Sequence, residues 1–278
     1  MPTFKREGVS LYYEMSGNPD NPPVVLLHGF TSDHRAWRQL SEVLATSFWV
    51  VTPDLRGHGA SDAPDDLDSY SIETYADDLA GLLQHLQIDL TAIVGCSFGG
   101  MIALEYSVQH PETLSALVLT DTSPAYEHPR YAQAFAAREA GISKNEEIAT
   151  RMGMEALAKA ATERVSDLFL AESLRKRFIG MSREGFLGAA KTRRERRDVS
   201  GLLRANLTMP VLLCAGQEDP VFSALSVMAD ELPDARVVEF EGCGHGVPFI
   251  KPGEFSGVLG EFLGDVRAGH AVAAHRTV

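Results

Sequence analysis

Leu90-Thr91-Ala92-Ile93-Val94-Gly95-Cys96-Ser97-Phe98-Gly99-Gly100 sets a serine between two glycines directly after an apolar run. The spacing predicts a buried strand over residues 90–94 that turns sharply into a helix over residues 98–110. Such a turn strains the backbone at its central residue and crowds the positions two before and two after it, so those must be nearly free of side chain. Gly95 and Gly99 meet that demand, and the Ser97 hydroxyl is left presented at the strand end.

Outward from this turn, short apolar runs alternate with helical ones. Residues 9–17, 23–27, 48–52, 114–120, 210–214 and 236–240 read as further strands. Residues 36–45, 72–86 and 252–263 read as helices, with one more between the last two strands. Runs that are apolar on both sides belong to a parallel sheet covered on both faces. The expected fold class is therefore α/β, a doubly wound, mostly parallel sheet of eight strands. From residue 122 to 207 the pattern becomes helical without strand-like runs, which predicts a helical lid inserted in one sheet. The expected organisation is a core of residues 1–123 and 208–265, a lid of residues 124–207, and a frayed tail over residues 266–278.

The chain has 278 residues, 45% of them hydrophobic, enough for a full core. Its net charge of −13 argues against a nucleic-acid partner, which needs a basic face. That charge is uneven: residues 124–207 carry 16 Lys and Arg against 11 Asp and Glu, and the rest carries 9 against 27. The contrast sets the lid apart as a module. No stretch is apolar for the ~18 residues of a membrane span, and the first residues lack the apolar run of a secretory signal, so a cytoplasmic protein is expected. Cys96, Cys214 and Cys243 have no paired spacing and read as reduced thiols, without a disulfide framework or a metal site.

In open α/β sheets reactive groups gather at the carboxyl ends of strands. The residues found there are His28-Gly29-Phe30, Pro53-Asp54, Ser97, Asp121, Gly216-Gln217-Glu218-Asp219 and Gly242-Cys243-Gly244-His245-Gly246. A serine, an acid and a histidine thus arrive in the order Ser97, Asp219, His245. In that set His245 would take the serine proton, Asp219 would fix the imidazole, and the backbone N–H groups of Phe30 and Phe98 would receive the developing oxyanion. Asp121 competes with Asp219 for the role of acid. His28 reads as orienting the Phe30 loop through backbone hydrogen bonds, Asp54, Arg56 and His58 as stabilising the turn after the strand over residues 48–52, and His85 and His110 as surface histidines on helices. Trp37, Phe30 and Phe98 are candidates for excluding water at the floor of a cleft.

These matches, with Asp54-Leu55-Arg56-Gly57-His58-Gly59-Ala60-Ser61, run in order through residues 20–265 and resemble the α/β-hydrolase superfamily. The chain is similar to its small cap-bearing esterases, enol-lactonases and carbon–carbon bond hydrolases. The resemblance implies a carboxylic ester hydrolase with a serine nucleophile, acting on a small-molecule ester or lactone; the residues themselves imply neither cofactor nor metal, since no glycine loop of the phosphate-cradling kind is present. Serine at 97 departs from the aspartate of epoxide hydrolases and haloalkane dehalogenases. Gly246-Val247 departs from the tryptophan that carbon–carbon hydrolases commonly carry after the histidine. Cofactor-free haloperoxidase-like chemistry and non-catalytic binding of a small molecule are the other readings open on this fold.

Two features of the lid stay open in sequence. Phe135, Met152, Met154, Leu157, Phe169, Phe178, Met181 and Phe186 either line a substrate pocket or seat the lid on the core. The basic stretch Lys191-Thr192-Arg193-Arg194-Glu195-Arg196-Arg197 either forms a solvated helix face or attracts an anionic, carboxylate-bearing substrate. A homo-oligomer contact through the lid is left open as well.

Overall fold

The computed structural model describes residues 2–163 and 165–278, apart from the side chains of Phe169 and Leu170. The strands are β1 (Thr3–Arg6), β2 (Val9–Ser16), β3 (Pro23–Leu27), β4 (Trp49–Pro53), β5 (Thr91–Cys96), β6 (Leu114–Thr120), β7 (Val211–Gly216), β8 (Arg236–Phe240) and β9 (Ala274–Thr277). They form one mixed sheet in the order β1-β2-β4-β3-β5-β6-β7-β8-β9. β1 and β2 run antiparallel to their neighbours and every other pairing is parallel. The fold class is the one expected, with nine strands in place of eight: seven lie where the sequence placed them, and β1 and β9 are the two edge strands for which it gave no range.

That ninth strand corrects the reading of residues 266–278 as a frayed tail. The last helix continues to Ala268, and Ala274–Thr277 then pairs with β8, from Arg236↔Ala274 to Glu239↔Thr277. Its polar Ala-His-Arg-Thr sequence carries no strand signal, because an edge strand buries little side chain and is held by backbone pairing and ion pairs. Here Arg276 meets Glu261 at 2.9 Å and His275 meets Glu239 at 3.1 Å.

Between the strands lie α1 (Arg38–Leu44), α2 (Ile72–His85), α3 (Phe98–Gln109), α4 (Ala132–Met152), α5 (Met154–Thr162), α6 (Leu168–Ile179), α7 (Arg183–Glu195), α8 (Leu203–Asn206), α9 (Ser223–Glu231), α10 (Val247–Ile250) and α11 (Pro252–Ala268). Strand alternation splits the core in two. Val25, Leu27 and Ile93 face a layer with α2, α3, α8 and α9, while Val24, Leu26 and Val94 face one with α1 and α11. The central strands are therefore apolar on both sides, the reason they were legible as continuous runs.

Helices α4 to α7 occupy the connection between β6 and β7. Ala149, Leu157, Met181 and Phe186 form a small core of their own, against which Phe30 of the loop after β3 also packs. On the sheet side of α7, a methyl group at Gly188 would collide with the Tyr70 ring, so this cap helix lies directly on the core. Val199, Leu203 and Leu207, assigned in sequence to the lid, are buried in the layer beneath the sheet. Helical periodicity alone does not say which hydrophobic layer a helix joins.

Candidate active site

The register places the carboxyl ends of β3, β5, β6, β7 and β8 along one rim. Ser97 follows β5 with φ 54° and ψ −111°, a conformation that L side chains rarely adopt. Its N–H donates to Thr120 O at 2.9 Å, and Thr122 Oγ1 donates to its carbonyl at 2.7 Å. A methyl group at Gly95 would lie 2.6 Å from Gly99 O, and one at Gly99 would lie 2.6 Å from His28 O and collide with Leu27 O. The strained serine is held between packed backbone segments.

His245 enters on the loop after β8. Its Nδ1 lies 2.8 Å from Asp219 Oδ2 and its Nε2 lies 2.8 Å from Ser97 Oγ. Asp219 follows β7, and its other oxygen accepts the Val221 N–H at 2.9 Å. Burial would raise the Asp219 carboxyl, but the hydrogen bond from His245, the charges of His245 and Arg138 and the Val221 N–H hold it below its ordinary range. An ionised Asp219 accepts only, so Nδ1 of His245 carries the hydrogen and Nε2 presents a lone pair to the serine hydroxyl.

Asp121, the competing acid, follows β6 and is turned elsewhere. It accepts the Val247 N–H at 2.8 Å, the Gly216 N–H at 3.3 Å and the Thr120 hydroxyl. It thereby ties the segment after His245 to the end of the strand that leads to Asp219. Burial pushes its carboxyl up to about 6, partly offset by His245 and Thr120.

Phe98 opens α3, so its N–H belongs to the unpaired first turn, and Phe30 sits in the loop after β3. Their rings meet edge to face at 6.4 Å, and Phe30 stacks at 5.1 Å on Phe186 of the cap. His28 shapes this loop: its Nδ1 lies 3.0 Å from Gly29 O, and its Nε2 accepts the Leu55 N–H at 3.1 Å. Burial and the neighbouring His58 lower His28 to about 3, so it is neutral and structural. Arg56 pairs with Asp78 through two bonds of 2.8 Å, and Asp54 accepts from His34 and Ala60. These groups stabilise the turn after β4 and stand apart from Ser97. Trp37 is fully buried and packs on Phe249 at 5.0 Å.

A cleft of about 680 Å³ opens above Ser97 and His245, walled by Phe30, Phe178, Phe186 and Phe249. Of the lid hydrophobics, Phe178 and Phe186 border it; Leu157 and Met181 fill the cap's own core with Met154 against it, and Phe135 packs with Tyr131, Val221 and Val227. Met152 is exposed, and the Phe169 side chain lies outside the described residues.

The charge of the lid is distributed otherwise than its sequence suggests. Lys191 pairs with Asp68 at 2.6 Å, Arg193 with Glu139, Arg194 with Glu146 at 2.6 Å and Arg197 with Glu105 at 2.6 Å, while Arg196 binds the carbonyls of Arg193, Ser123 and Ala125. Arg193 and Arg196 are buried, and the stretch is neither a simple solvated face nor a lining of the cleft. The cleft's cap-side cations are instead Arg138 of α4 and Lys176 and Arg177 of α6. Arg138 Nη2 lies 3.1 Å from His245 Nε2. Arg177 donates to Thr31 O at 3.0 Å and Phe30 O at 3.4 Å, fastening the cap to the Phe30 loop. Sequence reasoning missed both arginines: on polar helices they look like any surface cation.

Two groups of donors approach metal-ligating spacing among the described residues, Asp33 with His34 and Asp54, and Asp121 with Asp219 and His245. In the first, His34 Nδ1 bonds Asp54 at 2.8 Å and Asp33 pairs with Arg35 at 2.6 Å. In the second, both imidazole nitrogens are engaged by Asp219 and Ser97.

The family model described as alpha/beta hydrolase fold matches residues 22–252. A protein of Bacillus subtilis (strain 168), provisionally named 2-succinyl-6-hydroxy-2,4-cyclohexadiene-1-carboxylate synthase, is 29% identical over 276 residues, covering 92% of this chain and 96% of its own. Among solved structures, one from a study of carboxylesterases of Nitrososphaera gargenis superposes with a TM-score of 0.84 at 28% identity, over 96% of this chain and 100% of its own. A thermophilic esterase of Thermogutta terrifontis, solved with malate bound, superposes with a TM-score of 0.80 at 29% identity, over 95% and 97% of the two chains.

Proposed function

The chain belongs to the α/β-hydrolase fold family, and from that premise we propose that it is a serine hydrolase cleaving carboxylic esters through an acyl-enzyme, favouring esters that carry a carboxylate. The observation that carries the reading is the unbroken relay from Ser97 Oγ through His245 to Asp219, with both contacts at 2.8 Å. In this mechanism Ser97 Oγ attacks the ester carbonyl as His245 Nε2 takes its proton. Asp219 stabilises the imidazolium, and the N–H groups of Phe30 and Phe98 receive the oxyanion. His245 then protonates the departing alcohol, and water drawn through the same base releases the acid. A lactone, being a cyclic ester, needs no other machinery.

Preference for a carboxylate is supported by Arg138, Lys176 and Arg177 on the cleft wall. It agrees with a relative named for a carboxylate product and a structural neighbour solved with malate. Ser97→Ala is expected to lose about 10⁴-fold or more in kcat on p-nitrophenyl esters. Turnover by that variant at the wild-type rate sinks the reading. The half-ester of succinic acid is expected to outperform a neutral ester of equal length, by a margin that shrinks as salt rises. A margin indifferent to salt argues against charge selection.

A further inference from the structure

Arg138 stands where two donors meet one acceptor. With the Nδ1 hydrogen of His245 given to Asp219, Nε2 offers a single in-plane lone pair. Ser97 Oγ lies 2.8 Å from that nitrogen and Arg138 Nη2 lies 3.1 Å from it. The other terminal nitrogen of this guanidinium, Nη1, is buried without a hydrogen-bond partner. The adjacent carboxylate, Glu139, is taken by Arg193. Arg138 also borders the cleft, so a guanidinium with one unpartnered nitrogen stands at the wall of the space a substrate must enter.

This contact works against proton acceptance by His245 Nε2. A guanidinium donating to Nε2 competes for the lone pair that must accept the serine proton. A carboxylate matches the guanidinium in geometry and charge, and can take Nη1 and Nη2 together. Resting on the serine-hydrolase reading above, we propose that Arg138 is a substrate-sensing positioning residue. In the free protein it holds the catalytic base back, and a carboxylate on the substrate draws it away, freeing Nε2 for Ser97. Selectivity for charged esters then acts on kcat as well as on binding, because the carboxylate favours the state in which the base is free.

The wild-type protein tests this directly. Labelling of Ser97 by a neutral fluorophosphonate is followed as acetate replaces chloride at constant ionic strength. The labelling rate is expected to rise about tenfold to a plateau, the weight of one charge-assisted hydrogen bond. Arg138→Met is expected to start near that plateau and ignore acetate. It should also gain kcat on a neutral ester while losing about tenfold in kcat/KM on the succinate half-ester, the same weight of one interaction. Wild-type labelling that is indifferent to acetate overturns the inference and leaves the hydrolase reading standing. Parallel losses on both esters in a folded Arg138→Met protein also overturn it. No labelling of Ser97 under any condition overturns both.

Discussion

At residue scale, Asp121 and Asp219 end neighbouring strands, and their surroundings separate them. Asp219 meets the imidazole, whereas Asp121 accepts from two backbone N–H groups and a hydroxyl. Asp219→Asn is expected to lower kcat by about 10⁴-fold, since it removes the acceptor that fixes the histidine tautomer. Asp121→Asn, which only loosens the segment after His245, should cost about tenfold, on the order of one lost hydrogen bond to a charged group; steady-state kinetics separate the two. The pH dependence of stability distinguishes them as well. Asp121 is raised from 3.8 to about 6 on folding, so the folded chain holds its proton more tightly. Its contribution is fully present below pH 3.8 and is lost as pH rises through about 6. Asp219 is lowered, so its contribution is present above its ordinary value and is lost only as pH falls below that. Urea midpoints measured across this range should show the falling component in the wild type and not in Asp121→Asn. Both acids were visible at strand ends in sequence. The choice between them was not, because it depends on which way each carboxylate turns across a gap of more than twenty residues.

At element scale, β5 and α3 were legible because burial on every side demands an unbroken apolar run, and the turn between them demands small residues. Gly99 is the tighter constraint, since any Cβ there meets the carbonyls of Leu27 and His28. Gly99→Ala is therefore expected to destabilise the fold by about 3 kcal/mol, a cost of overpacking against backbone that cannot yield. A urea unfolding curve with an unshifted midpoint contradicts this. The cap helices gave weaker signals. Their periodicity announced helices, but their apolar faces divide among a cap core, a seat against α9 and a cleft wall. Arg138 and Arg177 occupy polar positions whose importance comes entirely from what lies opposite.

At the scale of the whole molecule, the sheet is closed on one side by β9, which leaves β8 as an inner strand. Removing residues 270–278 would expose the backbone of β8 and uncover the site where Val272 is buried. A loss of about 2 kcal/mol in stability is expected from the apolar surface and pairing given up. Concentration-dependent association through the new edge should appear in size-exclusion chromatography, with turnover per folded molecule retained. The chain by itself determined the alternation of strands and helices, the strained serine turn, and the order of serine, acid and histidine along the strand ends. These rest on local sterics and on the periodicity of burial, which a linear pattern records. Only the tertiary structure decided which acid faces His245, that the basic stretch of residues 191–197 is spent on internal pairs, that Arg138, Lys176 and Arg177 are the cap-side cations at the cleft, and that the last residues form a strand. Each of those depends on a partner far away in the chain, and a sequence holds no record of direction across such distances.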